Sequence, residues 1–262
     1  MTTDERAKRP DVRQVCDFLQ TFCAVMLADG AQTLRVERNA LRIGMACGMA
    51  VELAMFSRHI MLTVREGEDG ESRTVVRSVP AGGPNFLRVQ ALNALGWRMV
   101  NEHLPLEDAW REMEHILALP SVPPLRLCLL VACANAAFCR LFEGDVVAML
   151  LVFVATLVGF RVRQALGGMG MNPKIVYLFA AFCASLTASC GVIWQWGTTP
   201  QTALGVSVLF LIPGIPLINA VQDVLDGHVL MGITRAVQAG MLIAAIALGL
   251  SLTMLLVEGA GV

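Results

Sequence analysis

Apolar positions recur along the chain in two rhythms, and the change between them falls near residue 120. In the first part Val15, Phe18, Leu19, Phe22 and Val25 repeat at helical spacing and predict an amphipathic helix over Val12 to Ala28, closed by Gly30. A second helix is predicted over Thr33 to Cys47, where Leu34, Leu41, Ile43 and Met45 are interspersed with Arg35, Glu37, Arg38 and Arg42. Beyond Gly48, the stretches Val51 to Phe56, Ile60 to Val64 and Arg73 to Val79 alternate or cluster β-branched residues, with EGEDGES as the turn between the last two, and predict a small sheet. Helical spacing returns over Pro84 to Asn101 and Leu106 to Leu119, and Pro120, Pro123 and Pro124 mark a joint.

The second part is a succession of apolar stretches near the roughly 20 residues a helix needs to cross a bilayer. Five spans are predicted: about Pro124 to Phe142, Val146 to Phe160, Ile175 to Trp196, Thr202 to Gln222 and Ala236 to Val257. The fold class expected is therefore an α-helical integral membrane protein with five transmembrane helices and an N-terminal cytoplasmic α/β domain. The division expected is residues 1–120 for the head (two helices, small sheet, two helices) and 121–262 for the membrane domain. Basic residues near span ends stay cytoplasmic, and Arg126, Arg161, Arg163, Lys174 and Arg235 fall on the side of the head, against Arg140 alone on the other. That puts the head in the cytoplasm and the C-terminus outside. Trp194 and Trp196 suit an aromatic belt at the outer interface.

Charge sharpens the division, because residues 1–120 hold 30 of the 41 Lys, Arg, Asp and Glu residues. The head carries 14 basic and 16 acidic side chains, which gives no electrostatic case for a nucleic-acid partner. The N-terminus MTTDERAKRPD is charged and has no apolar leader pattern. Eight cysteines contain no C-x-x-C spacing and read as free packing thiols rather than a disulfide framework.

One stretch breaks the second rhythm. LIPGIPLINAVQDVLDG, Leu211 to Gly227, closes a 48-residue run without charge, Ile175 to Gln222. Pro213 cannot donate to the carbonyl of Leu209, nor Pro216 to that of Ile212, so two carbonyls are expected to lose helical partners near mid-span. Such a break, with Gly214 between the prolines, is tolerated where it is buried in protein or lines a cavity, and it is a recurrent way to build a transport site. Its alternative is a packing kink. Pro216 suits the first position of a new half-helix whose amides can hold a carboxylate. Asn219 lies one turn further along, where it could meet a solute. Asp223 shares that face as a candidate coupling acid, or else belongs to an interfacial helix end at which Asp226 and Gly227 form a structural turn. Elsewhere Asn135 in the first span and Glu143 with Asp145 at the outer mouth are polar enough to line a pathway; helix–helix hydrogen bonding and a solvated loop are their ordinary alternatives.

Enzyme chemistry finds little support. D-x-x-D-G at Asp223, Asp226 and Gly227 opens the signature of CDP-alcohol phosphotransferases, yet no acid follows before Glu258, and two carboxylates cannot replace the four of a two-metal site. No H-E-x-x-H, G-x-S-x-G or phosphate-binding G-x-x-x-x-G-K-[ST] occurs, and His59, His103, His115 and His228 are scattered. No catalytic residue, metal or cofactor is expected.

Four blocks in order carry a resemblance: LADGAQTLRVERNALRIGMACGM from Leu27, VPAGGPNFLRVQALNALGWRMVNEHLPLEDA from Val79, FCRLFEGDVVAMLLVFVATLVGF from Phe138 and LIPGIPLINAVQDVLDGHVLMGITR from Leu211. Together they resemble the threonine/serine exporter (ThrE) family, and most closely its split, YjjP-type large subunits. The resemblance covers nearly the whole chain. It implies a bacterial inner-membrane, multi-pass secondary exporter of small carboxylate metabolites, either succinate and other C4-dicarboxylates or threonine and serine. It further implies a small YjjB-like integral membrane subunit as partner, a lipid bilayer as surroundings, and room for a homo-oligomer. The family pattern matches at Pro213, Gly214, Pro216, Asp223, Asp226 and Gly227, and in the head at Gly30 and Glu37. The alternative from another class is a membrane-anchored regulatory or scaffold protein whose cytoplasmic head binds a metabolite or protein.

Overall fold

The computed structural model describes residues 10–67, 69–119 and 122–259. Two compact units emerge, one from Met1–Pro120 with Ile215–Ala236, the other from Ser121–Gly214 with Val237–Val262.

The first unit is built around α1 (Val12–Ala28), whose Val15, Phe18, Leu19, Phe22 and Met26 are completely buried. Its start is fixed by the amide of Asp11, which donates to Gln14 Oε1 at 3.2 Å. After a turn at Asp29 and Gly30 comes α2 (Thr33–Ala46), and Gly48 at φ +75° ends it. The strands β1 (Ala50–Met55), β2 (His59–Arg65) and β3 (Ser72–Ser78) form an antiparallel sheet in the order β1-β2-β3, with Leu62 opposite Leu53 and Val75. Along β2, Ile60, Leu62 and Val64 face the core with no exposure, while Met61, Thr63 and Arg65 lie on the other face, as the two-residue period requires. The helices α3 (Phe86–Asn101) and α4 (Leu106–Leu117) complete the layer by burying Val89, Leu92, Leu95, Ala109 and Met113. The start of α3 lies two residues later than the sequence pattern predicts, because Asn85 caps it by accepting the Arg88 amide. Met231 joins the same apolar core.

The second unit contains α5 (Pro124–Leu141), α6 (Val146–Gly168), α7 (Pro173–Ile193), α8 (Pro200–Val206) and a 3-10 turn at Leu209–Leu211. Next along the chain come α9 (Gly214–Leu225) and α10 (Val229–Gly259). Among the described residues four helices are long and apolar enough to cross a membrane, or five if the pair on either side of Ile212 counts as one broken span.

Three boundaries differ from expectation. The second span is not 15 residues but a helix of 23. Arginine is a good helix former, so Arg161 and Arg163 do not stop it, and Arg163 lies over the Tyr177 ring at 5.1 Å from its centroid. The third span ends at Ile193, which leaves Trp194 and Trp196 in the following turn with their rings 5.1 Å apart. The last span is part of a 31-residue helix that starts at Val229, well before Ala236. Packing within this unit relies on small residues: Gly159 meets Ala180 and Ala184, and Gly249 meets the backbone of Leu178 and Phe182.

Candidate functional site

The break in the fourth span begins earlier than the prolines. Helix α8 ends at Val206, and the chain passes through the 3-10 turn before Pro213. The two carbonyls expected to be orphaned are satisfied locally: Ile212 N–H donates to Leu209 O at 3.1 Å and Gly214 N–H to Ile212 O at 2.9 Å. In a medium without water a freed carbonyl must find another donor, and short-range turns supply one here. Helix α9 starts at Gly214, so Pro216 is its third residue rather than its first. It still falls in the first turn, where a missing N–H removes no intrahelical bond.

Asn135 stands beside this break. Its Nδ2 donates to Thr156 Oγ1 at 2.8 Å and to the carbonyl of Val206, the last residue of α8, at 3.2 Å. The amide therefore ties α5 to α6 and covers one end of the interrupted helix. An apolar cavity of about 310 Å³ adjoins it, lined in part by Val131, Phe138, Phe142 and Ile212. Asp145 is engaged as a cap: it accepts from the Ala148 amide at 2.7 Å and from Thr198. Those bonds, the Thr198 amide foremost, hold its carboxyl below the usual carboxylate value.

The remaining candidates collect in the first unit, on the hairpin of α9 and α10. Gly227 at φ +90° makes the turn, with Asp226 N–H donating to Gln222 O at 2.8 Å. Close approach of the two arms depends on Gly232, where a Cβ would lie 2.7 Å from the carbonyl oxygen of Ala220. This hairpin clasps the turn between α1 and α2. Asn219 Nδ2 donates to Gly30 O at 2.9 Å, and Arg235 Nη2 to Ala31 O at 3.1 Å. Gln32 donates to Gln222, and the Thr33 amide to Asp223 Oδ1 at 3.2 Å. Asp223 Oδ2 accepts from Arg235 Nη1 at 2.6 Å. The Asp223 side chain is wholly buried, and Arg235 keeps 14% of its side-chain surface exposed.

The clasped turn is itself braced. Gly30 takes φ +84°, and Asp29 is buried against a two-pronged grip by Arg88, whose Nε donates to Oδ2 at 2.5 Å. Hydrogen bonding to Asp29 raises the Arg88 guanidinium above its ordinary value. One helical turn beyond Thr33, Glu37 Oε2 lies 3.2 Å from His228 Nε2. Thr33 Oγ1 is buried and has no hydrogen-bond partner.

Asn219, Asp223, Gly30 and Glu37 thus come together, whereas Asn135 sits in the other unit with Pro213 and Gly214. The structure adds Arg235, which the sequence marks only as an orienting charge, together with His228, Gln222, Gln32, Thr33 and the Asp29–Arg88 brace. A signal was present: Asp223 and Arg235 are an acid and a base on either side of a D-G turn in an otherwise apolar region. Among the described residues no group of three or more His, Cys, Asp or Glu side chains could hold a metal ion.

A chain of several apolar helices, with one interrupted span and a buried acid–base pair beside it, has the form of a multi-pass membrane transport protein. The family model described as "Putative threonine/serine exporter" matches residues 17–257, and the chain belongs to that family. It is 33% identical over 253 residues to the "Probable succinate transporter subunit YjjP" of Klebsiella aerogenes, covering 95% of this chain and 96% of that one. It is 31% identical over 231 residues to the protein of the same name in Escherichia coli K12, covering 86% and 87%. A "Probable threonine/serine exporter" of Mycobacterium tuberculosis is 24% identical over 254 residues; 95% of this chain matches 47% of that longer one. No solved structure matches the chain.

Proposed function

We propose that the chain is the large membrane subunit of a secondary exporter of small carboxylates, with its N-terminal α/β head on the cytoplasmic side. A small YjjB-like membrane subunit completes the path, consistent with the word "subunit" in the names of the relatives from Klebsiella aerogenes and Escherichia coli. Succinate or another C4-dicarboxylate is the first-choice substrate, and threonine or serine the second, following the names of the relatives. The observation that carries this proposal is the Asp223 carboxylate, buried on the second half of the broken span and held between Arg235 and the Thr33 amide. Burying a charged pair costs desolvation that its pairing only partly offsets, so its presence favours a role in conformational specificity or coupling. Asn219 and Asp223 are assigned to the coupling region, Pro213, Gly214 and Pro216 to the break, Asn135 to the support of the broken helix, and Asp226 and Gly227 to the turn.

The test is flux. The chain is reconstituted in vesicles with its small partner and loaded with labelled succinate, threonine or serine. Export of one of them, lost in Asp223→Asn with the protein still inserted, supports the assignment. Unchanged export in that variant removes Asp223 from the mechanism, and no export of any of the three removes the function.

A further inference from the structure

The N-terminus of α2 already holds a carboxylate, and it belongs to the protein itself. Asp223 Oδ1 accepts from the Thr33 amide at 3.2 Å and Oδ2 from Arg235 Nη1 at 2.6 Å. An N-terminal amide of a 14-residue helix together with a guanidinium is a general carboxylate receptor. Two features exceed what an internal ion pair needs. Thr33 Oγ1, on the residue whose amide binds the carboxylate, is buried without any partner, at the cost that accompanies an unmade hydrogen bond. The guanidinium, moreover, is not sealed in, because Arg235 retains 14% of its side-chain surface.

We propose that Thr33 N–H, Thr33 Oγ1 and Arg235 form a binding site for the carboxylate of a small metabolite, which Asp223 occupies as a built-in surrogate until that metabolite displaces it. The inference builds on the carboxylate-export function and names the site at which the substrate class is recognised. Displacement has a proton balance. One carboxylate leaves Arg235 and another arrives, so the guanidinium stays paired, but the freed Asp223 side chain is left among buried groups with no cation. It takes a proton from solvent on its carboxylate oxygen, and binding of one anion is accompanied by uptake of one proton. Among the described residues packed here, Glu37 faces His228 and Asp29 is held by Arg88, while Arg35 and Arg38 of α2 are exposed rather than buried with Asp223. Among the described residues, Arg235 is the basic side chain paired with Asp223. The exchange therefore links occupancy of the site to proton movement, which is what a proton-coupled exporter requires.

The test uses the purified full-length chain in detergent, with sodium succinate, threonine and serine as probes, titrated calorimetrically at pH 7.5 in buffers of different ionisation enthalpy. Wild type takes up about one proton per bound ligand, and Asp223→Asn takes up none. Because the neutral amide competes poorly for Arg235, Asp223→Asn binds at least ~10-fold more tightly. Thr33→Val, which keeps the buried volume and removes only the unpaired hydroxyl, does not lower the melting temperature, yet loses about 5-fold in affinity. Binding without proton uptake, or an Asp223→Asn variant that binds no more tightly, overturns the proposal; so does the absence of binding by all three probes. Absent binding with intact flux in the reconstituted pair counts against this site alone, and proton-linked binding with no flux counts against the export function alone.

Discussion

Asp223 and Arg235 stand twelve positions apart on opposite arms of the α9–α10 hairpin, joined by a 2.6 Å bond across the Gly227 turn. Their pairing decides the relative stabilities of three variants. Arg235→Gln leaves a wholly buried carboxylate without its cation and is expected to cost about 3–5 kcal/mol. Asp223→Asn leaves a partly exposed guanidinium and costs less. The double variant Asp223→Asn/Arg235→Gln, which buries no charge, regains part of the loss. Chemical unfolding of the purified chain in detergent measures all three, and strictly additive losses would show that the pair is not coupled.

Asn135 gives a second prediction, because its two bonds serve different ends. Asn135→Leu leaves the Val206 carbonyl, at the end of α8, without its side-chain donor, and about 1–3 kcal/mol of stability goes with it. Thr156→Val leaves that carbonyl satisfied; it removes the Thr156 hydroxyl, which also bonds to Val152 O. Its cost is expected to be the smaller, by thermal melting of the same detergent preparation. The reverse order would mean that the Thr156 bond, not the broken helix end, is what Asn135 is there to make.

What the sequence made legible follows from how local each cue is. Periodicity marks the head helices and the inward face of β2, since each reports on its own backbone. The prolines of the broken span mark a break for the same reason. Residue spacing places Asn219 and Asp223 on one helical face but says nothing of what covers that face, and the surrounding uncharged run suggests lipid or a pore. Apart from Arg235, which pairs with Asp223, their partners are backbone groups of Gly30 and Thr33, some 190 positions away, and backbone atoms leave no trace in a sequence. Helix α6 runs past the uncharged run that marks its span in the sequence, because a long arginine side chain can remain on a helix and lay its guanidinium over an aromatic ring.

Cys23 supplies a pH-dependent test in the head. Burial pushes its thiol from an ordinary value of 9.0 up to about 12, and that of Cys47 up to about 11. Because the folded protein holds these protons more tightly than the unfolded chain, their contribution to stability is complete below about pH 9.0. It is then lost as pH rises toward 12. Neither thiol is expected to react with iodoacetamide at pH 8 in the native protein, and both react after denaturation. Rapid native alkylation of Cys23, read by mass spectrometry, would mean that α1 is not packed as described.

Small residues in the membrane unit provide the last contrast. At Gly249 a Cβ would lie 2.5 Å from the backbone carbonyl oxygen of Leu178, an atom that cannot swing aside, so Gly249→Ala must push α10 away from α7. Overpacking of that kind costs about 1–3 kcal/mol. At Gly240, nine residues earlier on the same helix, a Cβ meets nothing within 4 Å. Gly240→Ala should therefore gain roughly 0.5–1 kcal/mol from the better helix propensity of alanine. Both substitutions add one methyl group to one helix, so composition and hydrophobicity change equally and only the contact differs. Thermal unfolding of the isolated chain separates them: Gly249→Ala melts lower than wild type and Gly240→Ala does not. If both melt alike, close packing of α10 on α7 is not what holds this unit together.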